Sequence, residues 1–591
     1  MLRQGGRKAR NLGLDILWVL LLCQCSQSLL DAGGLWCLNW KDVLAEWLIA
    51  AFIILLAFAV TASRRRALIW GSVPLMLLTV ANAELFIFRG NALMPLDFLS
   101  FTTAMNVAGS YRPQVSWRMA ISLLAWAALI FAETRRRDWR PRRRAWGRLA
   151  GLGAALAVLL CWQLLTSGMT AYYWMNYGEK YKGYFNNFSI QLREALADHR
   201  PEGYDVQQVE ETAREFSGEE EAVPDTLPDI IVIMDESFSD LRVVGDLKTE
   251  EPVTPFLDSI KENTVRGSAL SSVYGGGTAN SEWEVLTGDT MAFLPVGSVV
   301  YQQYLSSDSF SMARYLKSLG YRTLATHPFR SSGWMRTSAW PRLGFDEMTF
   351  QEDYPMENLL RYYETDQEMF EYVLDRLEGN TSGQPLFLFG VTMQNHGGYD
   401  NPAITDAPHL ALEGMQGDYP QAEVYLGLLR ESDRALEYLI GELEKRDRPT
   451  VLLFFGDHLP ALDEGFYEEL HGGPIEDNET EESCYTVPFI LWTNYDIEER
   501  QIDLTSLNYL SGYVYDVAGI PLPAWNRFLR AGEEEVKAIN TLGWYDADGG
   551  FHQLSEETAW LKQYRALQYN NLFDTVNRNN ILFPIGEATG K

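Results

Sequence analysis

The sequence predicts an α-helical membrane domain of five spans, followed by an α/β domain built on a mostly parallel central sheet. Three observations carry this reading. Five apolar stretches of membrane-crossing length fall before Met169, the charge balance reverses there, and from Pro228 short apolar runs alternate with amphipathic helical stretches. Of 591 residues, the part up to Met169 holds 19 Lys and Arg against 8 Asp and Glu, which leaves 30 against 71 in the remainder from totals of 49 and 79. The strong negative balance of the second part argues against nucleic acid as a partner.

The apolar stretches cover 12–30, 44–62, 67–88, 117–132 and 149–165, each near the ~20 residues that cross a hydrocarbon core. Asp15, Gln24 and Gln27 interrupt the first. It still reads as a span, because no small-x-small cleavage site closes a short apolar core and four more spans follow. Arg3, Arg7, Lys8 and Arg10 precede span one, Arg64 to Arg66 separate spans two and three, and Arg135 to Arg144 with Arg148 separate spans four and five. The positive-inside rule then puts the amino terminus in the cytoplasm and everything after Leu165 outside, a multi-pass protein of the cell membrane with an extracellular catalytic domain. Cys23, Cys25, Cys37 and Cys161 lie in or beside spans and Cys484 is alone, so no disulfide framework is expected.

Four regions follow: membrane domain 1–169, helical linker 170–227, catalytic domain 228–519 and a carboxyl-terminal extension 520–591 that packs on the catalytic domain. The linker carries Tyr172, Tyr173, Trp174, Tyr177, Tyr181 and Tyr184, then the acidic run Glu219 to Glu221. Strands are expected at 229–234, 266–274, 322–326, 385–393, 450–455 and 487–493, with helices at 255–263, 310–319, 367–377 and 422–445 between them. The run 504–518 reads as helix. Such alternation places ligands beyond the carboxyl ends of the strands.

Polar residues collect at those ends. Glu236 follows the first strand, His327 the third, Asn395 and His396 the next, and Asp457 with His458 the one after. Gly275-Gly276-Gly277 lets backbone approach a ligand, and Thr278 heads the helix that follows, where outward amides favour an ionised hydroxyl. Glu236, Asp457 and His458 with the Thr278 hydroxyl form a ligand set for one hard divalent cation, and the metal would activate Thr278 as nucleophile. His396 and His327 would hydrogen-bond phosphoryl oxygens or protonate a leaving alcohol; Arg336 would clamp a phosphate oxygen while Trp334 packs on the alcohol. Each motif alone also suits a cap, a turn or a packed aromatic, and it is their convergence on one sheet edge that points to a site.

In this order, after five spans, these motifs resemble the lipoteichoic acid synthase group of phosphoglycerol transferases, in the alkaline phosphatase and sulfatase superfamily. The resemblance runs from about residue 12 to 519. It implies a Mn2+-type site of Glu236, Thr278, Asp457 and His458, with Mg2+ or Zn2+ as alternatives, and Thr278 as nucleophile. It also implies a phosphatidylglycerol-type donor and a polyglycerolphosphate or glycolipid acceptor. Two positions depart from the group: Phe329 stands where an acidic residue is usual, and Gly397-Gly398-Tyr399 where Tyr or Phe and Pro are. Both belong to the head-group pocket. A phosphoethanolamine transferase and a phosphodiester hydrolase of the same superfamily are the alternatives, whereas no cysteine has the Cys-x-Pro-x-Arg setting of a sulfatase nucleophile.

Overall fold

The structure, a computed structural model, describes residues 2–29, 34–89, 92–98, 116–141, 143–169, 171–172, 177–196, 200–218, 222–295, 297–331, 333–401, 407–475 and 477–585. Tyr173, Trp174 and the Glu219 to Glu221 run lie outside them. The described chain divides into two compact units, one up to Leu196 and one from Arg200.

Four helices of the first unit are long and apolar enough to cross a membrane: Trp40–Thr61, Arg64–Ile87, Trp117–Arg135 and Arg144–Leu165. The fifth expected span is a shorter apolar helical stretch, Gly13–Leu29, at the end of helix Leu2–Leu29. Asp15, which interrupts that stretch in sequence, pairs with Arg64 at 2.7 Å and Arg136 at 3.0 Å, and both arginines also pair with buried Glu133. A charge cluster at helix ends thus accounts for the polar residue. Glu46 accepts the amides of Phe185 and Asn186 at 3.2 and 2.7 Å, which satisfies free donors at the start of helix Tyr184–Ala195.

The second unit is built on eight strands: β1 Asp229–Asp235, β2 Thr264–Leu270, β3 Arg322–His327, β4 Glu347–Phe350, β7 Leu386–Val391, β8 Thr450–Gly456, β9 Thr486–Thr493 and β10 Arg500–Ser506. A short hairpin, β5 Leu359–Leu360 with β6 Tyr363–Glu364, stands apart. The sheet order is β10-β2-β9-β8-β1-β7-β3-β4. All neighbours run parallel except at β9, which is antiparallel to both β2 and β8. The central strands β1, β7 and β8 are buried along their whole length, as their continuous apolar runs require.

Expected strand 266–274 ends at Leu270 and expected helix 255–263 at Ser259, and two larger expectations change. The run 504–518 is not one helix: 504–506 complete edge strand β10, and the helix is Leu510–Val517. Its apolar residues satisfy helix and strand patterns alike, and pairing with β2 decides. The linker is divided, because helix Val206–Phe216 packs within the second unit: Phe216 meets Phe528 edge-on at 5.4 Å, and Arg527 Nε donates to the Phe216 carbonyl at 2.9 Å.

Past Ile520, a three-stranded sheet of β11 Val536–Ile539, β12 Gly543–Asp546 and β13 Phe551–Gln553 precedes helix Ala559–Leu572. From that helix, Tyr564 Oη donates to the Gly288 carbonyl at 2.7 Å, and the Gln568 amide exchanges two 2.8 Å bonds with the Thr290 backbone. These bonds hold the chain just beyond helix Thr278–Thr287.

Candidate metal and nucleophile site

Parallel register sets Asp235 of β1 beside Gly456 of β8, so Glu236 and Asp457 leave the sheet together. Ser237 turns the chain with φ 53 and donates its amide to Asp457 Oδ1 at 2.7 Å; the His458 amide reaches the same oxygen at 2.8 Å. His458 Nδ1 lies 2.9 Å from the Leu459 carbonyl, which makes Nδ1 the protonated nitrogen and leaves Nε2 bare. Nε2 is 3.1 Å from Asp457 Oδ2 and 3.7 Å from Glu236 Oε1.

Neither Asp457 Oδ2 nor His458 Nε2 has a hydrogen-bond partner among the described residues, though both are buried. Two buried acceptor atoms left without a partner are unfavourable, and a cation held by both satisfies them. Burial and the Glu236 carboxylate push the Asp457 carboxyl well above the ordinary range, the direction a bound divalent ion reverses. The ligand atoms of Glu236, Asp457 and His458 all lie within 4.8 Å of one another, so this donor set fits one metal ion.

Thr278 completes the group, donating Oγ1–H to Glu236 Oε2 at 3.2 Å. It opens a ten-residue helix, Thr278–Thr287, in which every residue is buried. The approach needs Gly275, Gly276 and Gly277 at φ 64, 149 and 95, a region costly for side chains. Ser271 and Ser281 hydroxyls both hold the Asp457 carbonyl, at 2.6 and 2.8 Å, tying the helix that Thr278 opens to the loop of Asp457 and His458.

His327 and His396 end β3 and follow β7. The His327 Nδ1 lies 2.9 Å from the Val391 carbonyl, and burial with the nearby Arg336 charge pushes its pKa well below the usual histidine value. His396 is also pushed down by burial, and its Nδ1 sits 3.2 Å from the Tyr363 hydroxyl. Arg336 is buried. Its Nε and Nη2 donate to Glu282 Oε1 at 2.9 and 2.5 Å, while Trp340 Nε1 donates to Glu282 Oε2 at 3.1 Å. Two nitrogens of the expected phosphate clamp are therefore committed to the nucleophile helix. Trp334 is half-buried and shares with Met335 a left-handed backbone, φ 51 and 59, ahead of helix Arg336–Leu343.

The structure thus gathers Glu236, Thr278, Asp457 and His458, and places His327 and Arg336 within reach of each other's charge. Sequence reasoning missed Glu282, whose place on a helix gives no hint of an arginine partner. It also missed a buried network behind Glu236: Thr392 Oγ1 donates to Asp235 Oδ1 at 2.9 Å and accepts the Glu236 amide at 3.0 Å. Asn395 Nδ2 joins Asp235 Oδ1 to Ser432 Oγ at 3.1 and 2.9 Å. Burial first, then the Asp366 charge, hold the Asp235 carboxyl well above the carboxylate range.

Residues 228–520 match the family model described as Sulfatase. A Rhizobium meliloti protein named for cyclic beta-1,2-glucan modification is 29% identical over 363 residues, which is 58% of this chain and 55% of that protein. The capsular polysaccharide biosynthesis protein RkpI of the same organism is 31% identical over 250 residues, 42% of this chain and 43% of the other. The chain thus spans about half the length of these relatives. Among solved structures, the Streptococcus pyogenes phosphoglycerol transferase GacH in complex with sn-glycerol-1-phosphate superposes with a TM-score of 0.51 at 18% identity, covering 64% of this chain and 96% of that one.

Proposed function

Since this chain belongs to the sulfatase family through residues 228–520, we propose that it is a membrane-bound, metal-dependent transferase that moves glycerol phosphate from a phosphatidylglycerol-type lipid to a cell-envelope acceptor. The observation that carries the reading is the pair Asp457 Oδ2 and His458 Nε2, both without a hydrogen-bond partner among the described residues and buried 3.1 Å apart beside Glu236 and the Thr278 hydroxyl. Glu236, Asp457, His458 and Thr278 would hold the ion, Mn2+ first, with Mg2+ or Zn2+ as alternatives. A divalent ion there supplies positive charge for the phosphoryl oxygens and lowers the pKa of the threonine hydroxyl.

Thr278 Oγ attacks phosphorus as the bond to the diacylglycerol oxygen breaks, so glycerol phosphate becomes an ester of Thr278 and diacylglycerol leaves with a proton. With the Tyr363 hydroxyl donating to Nδ1, His396 keeps its proton on Nε2 and donates it toward the leaving or non-reacting oxygen. His327 and Arg336 orient the phosphoryl group, and Trp334 packs on the alcohol. An acceptor hydroxyl then attacks phosphorus and frees the threonine. The two Rhizobium relatives are named for glucan and capsular polysaccharide, which supports a saccharide-bearing acceptor as well as polyglycerolphosphate or glycolipid. The basic loops between spans support a catalytic domain on the outer face.

One observation favours a second reading. Phe329 packs edge-on against His327 at 6.2 Å and Tyr363 at 6.0 Å, an apolar wall where the resembled group carries an acid. A head group other than glycerol, phosphoethanolamine above all, or water as acceptor suits that wall. Fluorescent phosphatidylglycerol and phosphatidylethanolamine, each given to the purified full-length protein with Mn2+, separate the readings. Diacylglycerol from the first alone supports glycerol phosphate transfer; release only from the second replaces it.

A further inference from the structure

We infer that Arg361, flanked by Tyr363 and Tyr399, forms an oxyanion subsite beside the metal centre, taking a phosphate oxygen of the substrate. The subsite rests on the transferase reading only for what occupies it. Arg361 stands at the turn of the β5–β6 hairpin with φ 60, a left-handed conformation that turns of this kind normally give to glycine. A bulky cation is held there in strained backbone.

Its contacts leave most of the guanidinium unused. Nη2 donates to the carbonyls of His396 and, at 3.3 Å, Gln394. Nε and Nη1 are buried and have no partner among the described residues, and no carboxylate pairs with Arg361 there. The guanidinium carbon lies 5.5 Å from the Tyr363 ring centroid and 5.2 Å from that of Tyr399. The Tyr399 hydroxyl is engaged by the Asn395 carbonyl at 2.7 Å, and the Tyr363 hydroxyl faces His396. The tyrosines therefore offer the cation their faces rather than an acceptor atom.

Proximity to the metal centre follows from the same residues. Asn395 and His396 belong to the turn that Arg361 holds, and Asn395 Nδ2 donates at 3.1 Å to Asp235, the neighbour of Glu236. Beyond Met169 the chain carries 71 acidic residues against 30 basic ones, so carboxylates are plentiful. Two buried donor nitrogens without one cost stability unless an anion arrives from outside. Holding the 394–396 turn uses a single nitrogen and does not account for the other two. Nε and Nη1 donate from different edges of the guanidinium, so one charge-assisted hydrogen bond from either of them to a phosphate oxygen is the interaction this geometry fits.

The test uses the full-length protein in detergent and the variants Arg361→Gln and Arg361→Lys. Calorimetry with inorganic phosphate on chelator-treated protein reads the subsite without metal or turnover. Phosphate affinity should fall at least tenfold in Arg361→Gln and recover in part in Arg361→Lys, with Tm and Mn2+ binding retained. No phosphate binding by the parent chain, or equal binding by Arg361→Gln, overturns the inference. On bis(p-nitrophenyl) phosphate with Mn2+, a raised KM at unchanged kcat in Arg361→Gln assigns the transferred phosphoryl group to the subsite. A raised KM only for a diester bearing a second phosphate assigns the distal anion. A fall in kcat alone makes Arg361 a positioning residue for His396 and overturns the proposal. Phosphate binding through Arg361 in a protein that releases diacylglycerol from no lipid keeps the subsite and sinks the transferase reading.

Discussion

Thr278, the proposed nucleophile, and Glu282, the partner of Arg336, share one helix, so substitutions should separate their roles. Thr278→Ala removes the proposed nucleophile while sparing the fold: turnover should fall about a thousandfold or more, with Tm within about 2 °C of the parent. Retained turnover moves the nucleophile elsewhere. Glu282→Gln leaves Arg336 as a buried cation without its counterion, 2% exposed against a fully buried acid. Breaking such a pair costs about 3–5 kcal/mol, measurable as a lower denaturant midpoint. The candidate metal ligands were legible because carboxylates and imidazoles at strand ends are rare enough to be informative: Glu236, Asp457 and His458 come together within 4.8 Å. Arg336 was legible as a cation near the site, but not its acid, because position on a helix does not reveal which residue it meets across the sheet. Arg361 was not legible, since neither its two-residue turn nor its aromatic neighbours has a period.

The helix that begins with Thr278 ends among buried carboxyls. Burial pushes Glu284 up to about 7, against bonds from Met291, Ser272 and Thr290, and pushes Asp289 up to about 8, against Asn571. Both groups hold protons more tightly folded than unfolded. Their contribution to stability is therefore full below the ordinary carboxylate range, about pH 4, and is lost as pH rises through 7 to 8. Tm should drop between pH 6 and pH 9, and Asp289→Asn should remove part of that drop, since an amide still accepts from Asn571. An unchanged slope refutes the assignment. Central strands were readable as elements because continuous apolar runs such as 230–234 and 451–455 admit little else. Run 504–518 misled because strand pairing at a sheet edge competes with helix propensity over the same apolar residues.

Across the molecule, charge and composition foretold the division into an apolar helical unit and an acidic α/β unit, while the place of division was not readable. Residues 206–216 are polar and helical, a pattern equally at home in a connector, and contacts such as Phe216 on Phe528 and Tyr204 Oη to Asp574 assign the segment to the second unit. For sidedness, a protease added to intact cells should remove the part after Leu165; protection reverses the proposed topology. For the ion, Mn2+ added back to chelator-treated protein should raise Tm, by about 2.7 kcal/mol of stability at a hundredfold excess over Kd, and the rise should vanish in Asp457→Asn.

The clasp at the far end of the nucleophile helix sets an order of events in synthesis. Gly288 finds its Tyr564 partner 276 residues further along the chain. A ribosome delivering residues in sequence leaves that helix end unfastened until residue 564 has emerged, after every strand of the eight-stranded sheet.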